Sequence, residues 1–358
     1  MRRLALLLVA VLAVAACSGD DGGDAAETDE STTAPAEDAT TTTSAPVAPE
    51  DVAASPSDGC GVTPVAATGD TDKTVTSGGD ERTYVQHVPP AHDGETPVPL
   101  IVDYHGYSEG GEIHALHSAL GPFGDEQGFV TVTPDSGYPV PRWDVGLGSR
   151  DLVMFGDLLD QVEAELCVDT NRVFVAGLSN GAFMTSSVAC EFSDRVAAAS
   201  PVAGITDPDG CELDRPVPVI AFHGNEDTFV SFDGGLGSSV ADLPAPDGEG
   251  TLGDEATHEE AAEDVGPTIP EVAAAWAARN GCEGDAEEEQ VADDVTLQTF
   301  PCPAGAETEL YVVDGGGHTW PGSVFDDSIV NIVGHVTHSI SANELMWAFF
   351  QAHPLQTG

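Results

Sequence analysis

Five residues constrain the fold of this chain more than any others: Gly177-Leu178-Ser179-Asn180-Gly181. A serine with a glycine two positions either side suits a sharp strand-to-helix turn that leaves the hydroxyl standing clear of the backbone. The flanks agree. Arg172-Val173-Phe174-Val175-Ala176 is a short apolar run that predicts a buried strand, and Ala182 to Ala189 contains no Gly or Pro and predicts a helix. The pattern fixes only three positions, so it acquires chemical meaning when an acid and a histidine follow it.

Both follow. Val217 to Phe222 predicts a strand, and directly after it comes His223-Gly224-Asn225-Glu226-Asp227-Thr228. Asp227 is the candidate acid by position, with Glu226 its nearest rival and Asp233 a more distant one. Leu310 to Val313 predicts a last strand running into Asp314-Gly315-Gly316-Gly317-His318-Thr319-Trp320. Three glycines imply a flexible loop that swings His318 over the serine as general base. The order Ser179, Asp227, His318 is that of α/β-hydrolases. His87 and His105 precede the serine, and His335 and His338 lie beyond the last strand. An earlier stretch, His105-Gly106-Tyr107-Ser108-Glu109-Gly110-Gly111, has the small residues that an oxyanion loop needs. The backbone N–H groups of Tyr107 and Asn180 are the candidate donors. Trp143 and Trp320 are candidates for the substrate pocket, with a half-buried loop anchor as the alternative for Trp143.

The remaining signals predict an α/β fold: a mostly parallel central sheet with helices on both faces. Tyr84 to Val88 ends at Pro89-Pro90 and predicts an edge strand. Strands are expected at 100–104 and 129–133. A helix is expected over 113–127, interrupted at Gly121-Pro122. Leu152, Phe155, Leu159, Val162 and Leu166 form one helical stripe with Asp151 as N-cap or first-turn acid. Ile269 to Arg279 and about Ser341 to Gln351 predict later helices. Residues 233–266 and 283–294 are acidic and lack clear periodicity. The first is expected to be a solvated insertion, with a lid as the alternative, and the second a loop.

Residues 1–16 carry Arg2 and Arg3 before an apolar run too short to span a bilayer, the pattern of a secretory signal. Val14-Ala15-Ala16-Cys17 resembles the lipobox of bacterial lipoproteins, which implies lipid attachment at Cys17. Residues 17–58 are Ala, Thr, Ser, Pro, Gly and acid, and predict an extended acidic tether. Residues 59–358 then form one catalytic domain. The chain holds 62 acidic and 10 basic residues. That field repels nucleic acid and anionic membrane, so a membrane is reached only through the lipid anchor. It also suits a soluble surface or one adapted to high salt. Six cysteines beyond Cys17 in an exported chain predict three disulfides, and proximity suggests Cys190–Cys211 and Cys282–Cys302, leaving Cys60–Cys167. No Cys-x-x-Cys spacing points to a metal site.

GLSNGAFM (177–184), HGNEDTFV (223–230), GGGHTWPG (315–322) and ISANELMWAFFQAHPL (340–355) resemble the polyhydroxybutyrate depolymerase and feruloyl esterase group of secreted α/β-hydrolases. The resemblance covers most of residues 80 to 355. It implies a Ser179–His318–Asp227 esterase acting on feruloyl, acetyl or hydroxyalkanoate esters through an acyl-enzyme, with no metal or organic cofactor. The acidic insertion departs from the group's compact pattern, and no polymer-binding module is visible. A serine peptidase of the same fold and a non-catalytic cell-surface binding lipoprotein are the alternatives.

Overall fold

The computed structural model describes residues 52–255 and 266–356. The signal segment, Cys17, the tether up to residue 51 and residues 256–265 of the acidic insertion lie outside the described residues. Ten strands among the described residues form one sheet: β1 (Gly69–Ser77), β2 (Asp80–Val88), β3 (Val98–Tyr104), β4 (Val130–Pro134), β5 (Val168–Leu178), β6 (Ala198–Val202), β7 (Val219–Gly224), β8 (Glu287–Ala292), β9 (Val295–Thr299) and β10 (Thr308–Val313). Their order is β1-β2-β4-β3-β5-β6-β7-β10-β9-β8. The inner strands from β4 to β10 are parallel, and antiparallel pairs extend both ends.

The helices are α1 (Gly111–Ser118), α2 (Leu120–Gln127), α3 (Arg150–Glu165), α4 (Asn180–Glu191), α5 (Leu252–Glu255), α6 (Ile269–Arg279), α7 (Val324–Ser328), α8 (Val330–Val333) and α9 (Ala342–Ala352). Parallel strands need crossovers, so the inner part of the sheet is covered on both faces and its central strands β3, β5, β6 and β7 are buried nearly throughout. β5 illustrates this. Val173 and Val175 pack with Leu159 of α3 and Val188 of α4, while Phe174 and Ala176 pack on the other side with Met346 and Phe350 of α9. Alternation of side chains along a strand divides the two cores. Phe174 and Phe350 stack with centroids 4.4 Å apart.

Several local expectations are corrected. β2 is not an edge strand. β1 lies outside it, and its sequence GDTDKTVTS is too polar to signal a strand. The helix break falls at Ala119, in the left-handed region at φ 51°, rather than at Gly121-Pro122. Pro122 sits in the first turn of α2, where its missing N–H leaves nothing unpaired. The N-cap of α3 is Ser149, whose side chain accepts the Leu152 amide. Asp151 is a buried first-turn acid paired with Arg82 at 3.0 Å. The acidic stretch 283–294 contains β8, which turns into β9; its side chains are mostly exposed, so no apolar alternation marks it. Residues 52–58, expected in the tether, run along the start of β5: the Ser55 amide donates to Asp169 at 2.8 Å and Ser57 Oγ to the Leu166 carbonyl at 2.6 Å. The three expected disulfides, Cys60–Cys167, Cys190–Cys211 and Cys282–Cys302, are present.

Candidate active site

β5 ends in the serine turn, and α4 begins immediately after it. Ser179 is held at φ 58°, ψ −121°, a conformation that costs a non-glycine residue on the order of 1–3 kcal/mol and persists only where its surroundings over-determine it. They do here. The Ser179 amide donates to the Val202 carbonyl of β6 at 2.9 Å. A Cβ on Gly177 would lie 2.6 Å from the Gly181 carbonyl oxygen, and one on Gly181 would lie 2.1 Å from the Tyr104 carbonyl oxygen of β3. Both glycines are therefore required by the close approach of the turn to β3.

Asp227 follows β7 and His318 follows β10, neighbouring parallel strands whose C-terminal ends bring the two loops together. His318 Nδ1 donates to Asp227 Oδ2 at 2.7 Å in a buried pair. Asp227 Oδ1 accepts the Phe229 and Val230 amides at 2.8 and 3.0 Å. Burial works to raise the Asp227 carboxyl, but the neighbouring His318 outweighs it, helped by the His223 ring and the Phe229 amide, and holds it below the usual carboxylate range. Glu226, the rival acid, is exposed. Of the three glycines before His318, Gly315 takes up a left-handed turn at φ 70°, whereas Gly316 and Gly317 are required by close packing. The His318 amide donates to the Val333 carbonyl at 2.6 Å, and the Gly317 amide to that of His335 at 2.9 Å. A Cβ on Gly317 would stand 2.1 Å from the Val333 carbonyl oxygen.

Ser179 and His318 share a cavity of about 210 Å³, walled by Tyr107, Leu178, Phe229, Leu243 and Phe325 among others. A roomier cleft of about 410 Å³ beside Arg215 and His353 includes none of Ser179, Asp227 and His318. Neither tryptophan proposed for the pocket lines the cavity. Trp143 is buried behind it, edge-on to Tyr104 at 5.2 Å, with Nε1 donating to the His105 carbonyl at 2.8 Å. Trp320 is buried and donates Nε1 to Asn343 Oδ1 at 2.8 Å. Their large apolar faces are used in the core, and their N–H groups are satisfied there. Leu243 brings the acidic insertion into the site. Tyr107 Oη donates to the Pro244 carbonyl at 2.9 Å, so the described part of that insertion covers one edge of the pocket rather than standing off in solvent.

Asn180 is the first residue of α4, and its side chain ties the Trp143 loop down: Oδ1 accepts the Trp143 amide at 2.6 Å. In the Gly106 loop the Gly106 amide donates to Glu109 Oε2 at 2.8 Å and the Ser108 amide to the Pro141 carbonyl at 2.6 Å. Glu109 brings with it charged groups that the sequence reading left out. Glu109, His114 and His117, with ligand-type atoms all within 4.8 Å, meet beside Asp103 and Asp326. The available signal was the density of titratable residues between 103 and 117; Asp326 had none. His223 was also overlooked. Its Nε2 donates to the Val230 carbonyl at 2.9 Å and lies 3.5 Å from Asp227 Oδ2.

The strand order, the serine on a strained strand-to-helix turn, and the carboxylate and histidine on loops after two later parallel strands are those of the α/β-hydrolase fold. The chain is similar to known esterases. It is 25% identical over 247 residues to feruloyl esterase B of Piromyces equi, covering 66% of this chain and 42% of that protein. It is 29% identical over 197 residues to feruloyl esterase D of Neurospora crassa, covering 51% of this chain and 66% of that one. Among solved structures, an acetyl xylan esterase from Aspergillus awamori aligns over 73% of this chain and 98% of its own, with 18% identity and a TM-score of 0.49. The chain spans less than half the length of the Piromyces protein. No family model matches it.

Proposed function

We propose that the chain is a serine carboxylic ester hydrolase. The observation that carries this reading is the buried 2.7 Å Asp227–His318 pair, opening on the same cavity as the strained Ser179. With Nδ1–H committed to Asp227, the ring offers Nε2 as the base. Ser179 Oγ attacks the ester carbonyl as His318 takes its proton. The oxyanion is received by the backbone N–H groups of Asn180 and Tyr107. The alcohol leaves with the proton from His318, and water hydrolyses the acyl-enzyme by the same route. Phe229, Phe325, Leu178 and Leu243 give the cavity apolar walls that suit an aryl or short aliphatic acyl group. The relatives named for feruloyl esters favour that class. Export and lipid anchoring at Cys17 complete the proposal, and the three disulfides support an oxidising compartment.

The test is hydrolysis of p-nitrophenyl acetate, p-nitrophenyl butyrate, methyl ferulate and a soluble hydroxybutyrate oligomer by the chain without residues 1–16, together with labelling by a fluorophosphonate. At least one ester should turn over, and Ser179→Ala, folded by circular dichroism, should lose labelling and at least about 10⁴-fold in kcat. Undiminished hydrolysis by that variant would overturn the assignment. Turnover of an amide equal to that of its ester would favour a peptidase.

A further inference from the structure

Five ionisable side chains form a buried chain beneath the Gly106 loop. Asp103, on β3, lies 2.9 Å from His114 Nε2 and accepts Ser118 Oγ at 2.6 Å. His114 Nδ1 reaches Glu109 Oε2 at 3.0 Å, and His117 Nδ1 reaches Glu109 Oε1 at 2.7 Å. His117 Nε2 stands 2.8 Å from Asp326 Oδ1, as an ion pair rather than an aligned hydrogen bond. Both nitrogens of each ring thus face a carboxylate, and only an imidazolium donates from both. Burial works to lower His114 and His117, but the flanking carboxylates outweigh it and hold them up at about 10 and about 9. Glu109 is the reciprocal case: burial works to raise its carboxyl, and the two histidines pull it well below its usual range.

This chain is attached to both loops of the candidate site. Glu109 Oε2 also accepts the Gly106 amide at 2.8 Å, which fixes the His105–Gly106 peptide, the unit preceding the one that carries the Tyr107 N–H. Gly106 adjoins the serine turn: a Cβ there would lie in ordinary van der Waals contact with Ser179 Cβ, at 3.7 Å. At the other end Asp326 Oδ2 accepts the Trp320 amide at 2.7 Å, two residues after His318. Glu109 and His117 themselves reach the wall of the cavity that Ser179 and His318 share.

Glu109, His114 and His117 are residue types that hold zinc, and each histidine has a carboxylate behind it. Their geometry is that of ion pairs instead. The nitrogens meet the Glu109 oxygens at 2.7 and 3.0 Å, whereas two donors at zinc distance on a tetrahedral ion stand about 3.3 Å apart.

Resting on the esterase reading, we propose that Glu109 is a positioning residue. Clamped between His114 and His117, it holds the Gly106 amide and so aims the oxyanion-binding loop at Ser179. Through His117 and Asp326 it also fixes that loop relative to the one carrying His318.

The experiment compares the chain without residues 1–16 with its Glu109→Gln variant and, separately, its Asp326→Asn variant at the other end of the chain. Steady-state kinetics on p-nitrophenyl butyrate, fluorophosphonate labelling rates and metal content are measured, with folding checked by circular dichroism. Glutamine keeps the shape and an acceptor for the Gly106 amide but removes the charge between the two rings. Loss of one oxyanion donor costs about 10²–10³ in kcat, and a misaimed one should cost about 10- to 100-fold. The expected result is that fall in kcat with KM within about threefold, and labelling slowed in step, because it develops charge at the same place. A folded Glu109→Gln variant with kcat within about threefold of the parent would overturn the proposal. So would a raised KM at unchanged kcat, or one zinc per parent chain that the substitution removes. Should Glu109→Gln fail to fold, Asp326→Asn carries the same expectation and the same refutation. Absence of ester turnover by the parent would instead defeat the esterase reading.

Discussion

Replacing Asp227 by asparagine probes the proposed mechanism at one atom. Asp227 Oδ1 accepts two backbone amides, from Phe229 at 2.8 Å and Val230 at 3.0 Å, while Oδ2 accepts His318 Nδ1 at 2.7 Å. Asparagine has the same shape, but only one of its two terminal atoms accepts. Its carbonyl must stay with the two amides, since turning the group round would set an NH₂ against two N–H donors. The NH₂ therefore faces His318 Nδ1. A donor in that place makes Nδ1 the acceptor and moves the ring proton to Nε2, the nitrogen that has to receive the Ser179 proton. The variant also loses the charge that stabilises the imidazolium. In a Ser-His-Asp triad this substitution lowers kcat about 10⁴-fold, which is about 5.4 kcal/mol of transition-state stabilisation at about 1.36 kcal/mol per decade. The two amide bonds survive, so the fold should survive with them. The assay is kcat for p-nitrophenyl butyrate near neutral pH, with near-ultraviolet circular dichroism as the folding control. A folded Asp227→Asn variant that loses less than about tenfold would refute this account of the Asp227–His318 pair.

Two further outcomes follow from the fold. His114 and His117 are raised from 6.5 to about 10 and about 9, so their stabilisation is complete below about pH 6.5 and is lost as pH rises through 9 and 10. Urea midpoints should accordingly fall between pH 7 and pH 10 and fall less steeply in His117→Gln; a midpoint in the parent that stays flat over that range would refute the charged-imidazolium geometry. The Cys60–Cys167 bridge joins residues 107 apart and Cys282–Cys302 residues 20 apart. Chain-entropy arguments assign about 4.8 kcal/mol to the first and about 3.3 kcal/mol to the second. Double Cys→Ser variants should therefore rank in that order in urea, and the reverse order would show that strain or residual unfolded structure governs them.

The parts of the site that were legible in the sequence are those that depend on neighbours along the chain. Gly177-Leu178-Ser179-Asn180-Gly181 is a local steric statement, and the apolar runs at 100–104, 172–176 and 217–222 are the interior of a sheet buried on both faces. The polar strands β1 and β8 were illegible because they are held by backbone pairing and bury little of their side chains. Trp143 and Trp320 show the limit of residue type. A large aromatic suits a pocket wall and a core equally, and their placement in the core depends on Tyr104, His105 and Asn343 being where they are.

By itself, the sequence determined the serine turn, the order of serine, acid and histidine, the sheet interior and a disulfide pattern suggested by proximity. Each of these is encoded within one stretch or by order along the chain. Only the tertiary structure decided that Asp227 rather than Glu226 faces His318. It alone brought Leu243 of the acidic insertion to the pocket and joined Asp103, Glu109, His114 and His117 to Asp326. Those are statements about charge and distance between residues far apart in the chain. The same carboxyl that is a solvated acid in one environment becomes a clamped anion in another, and the difference exists only after the loops have met.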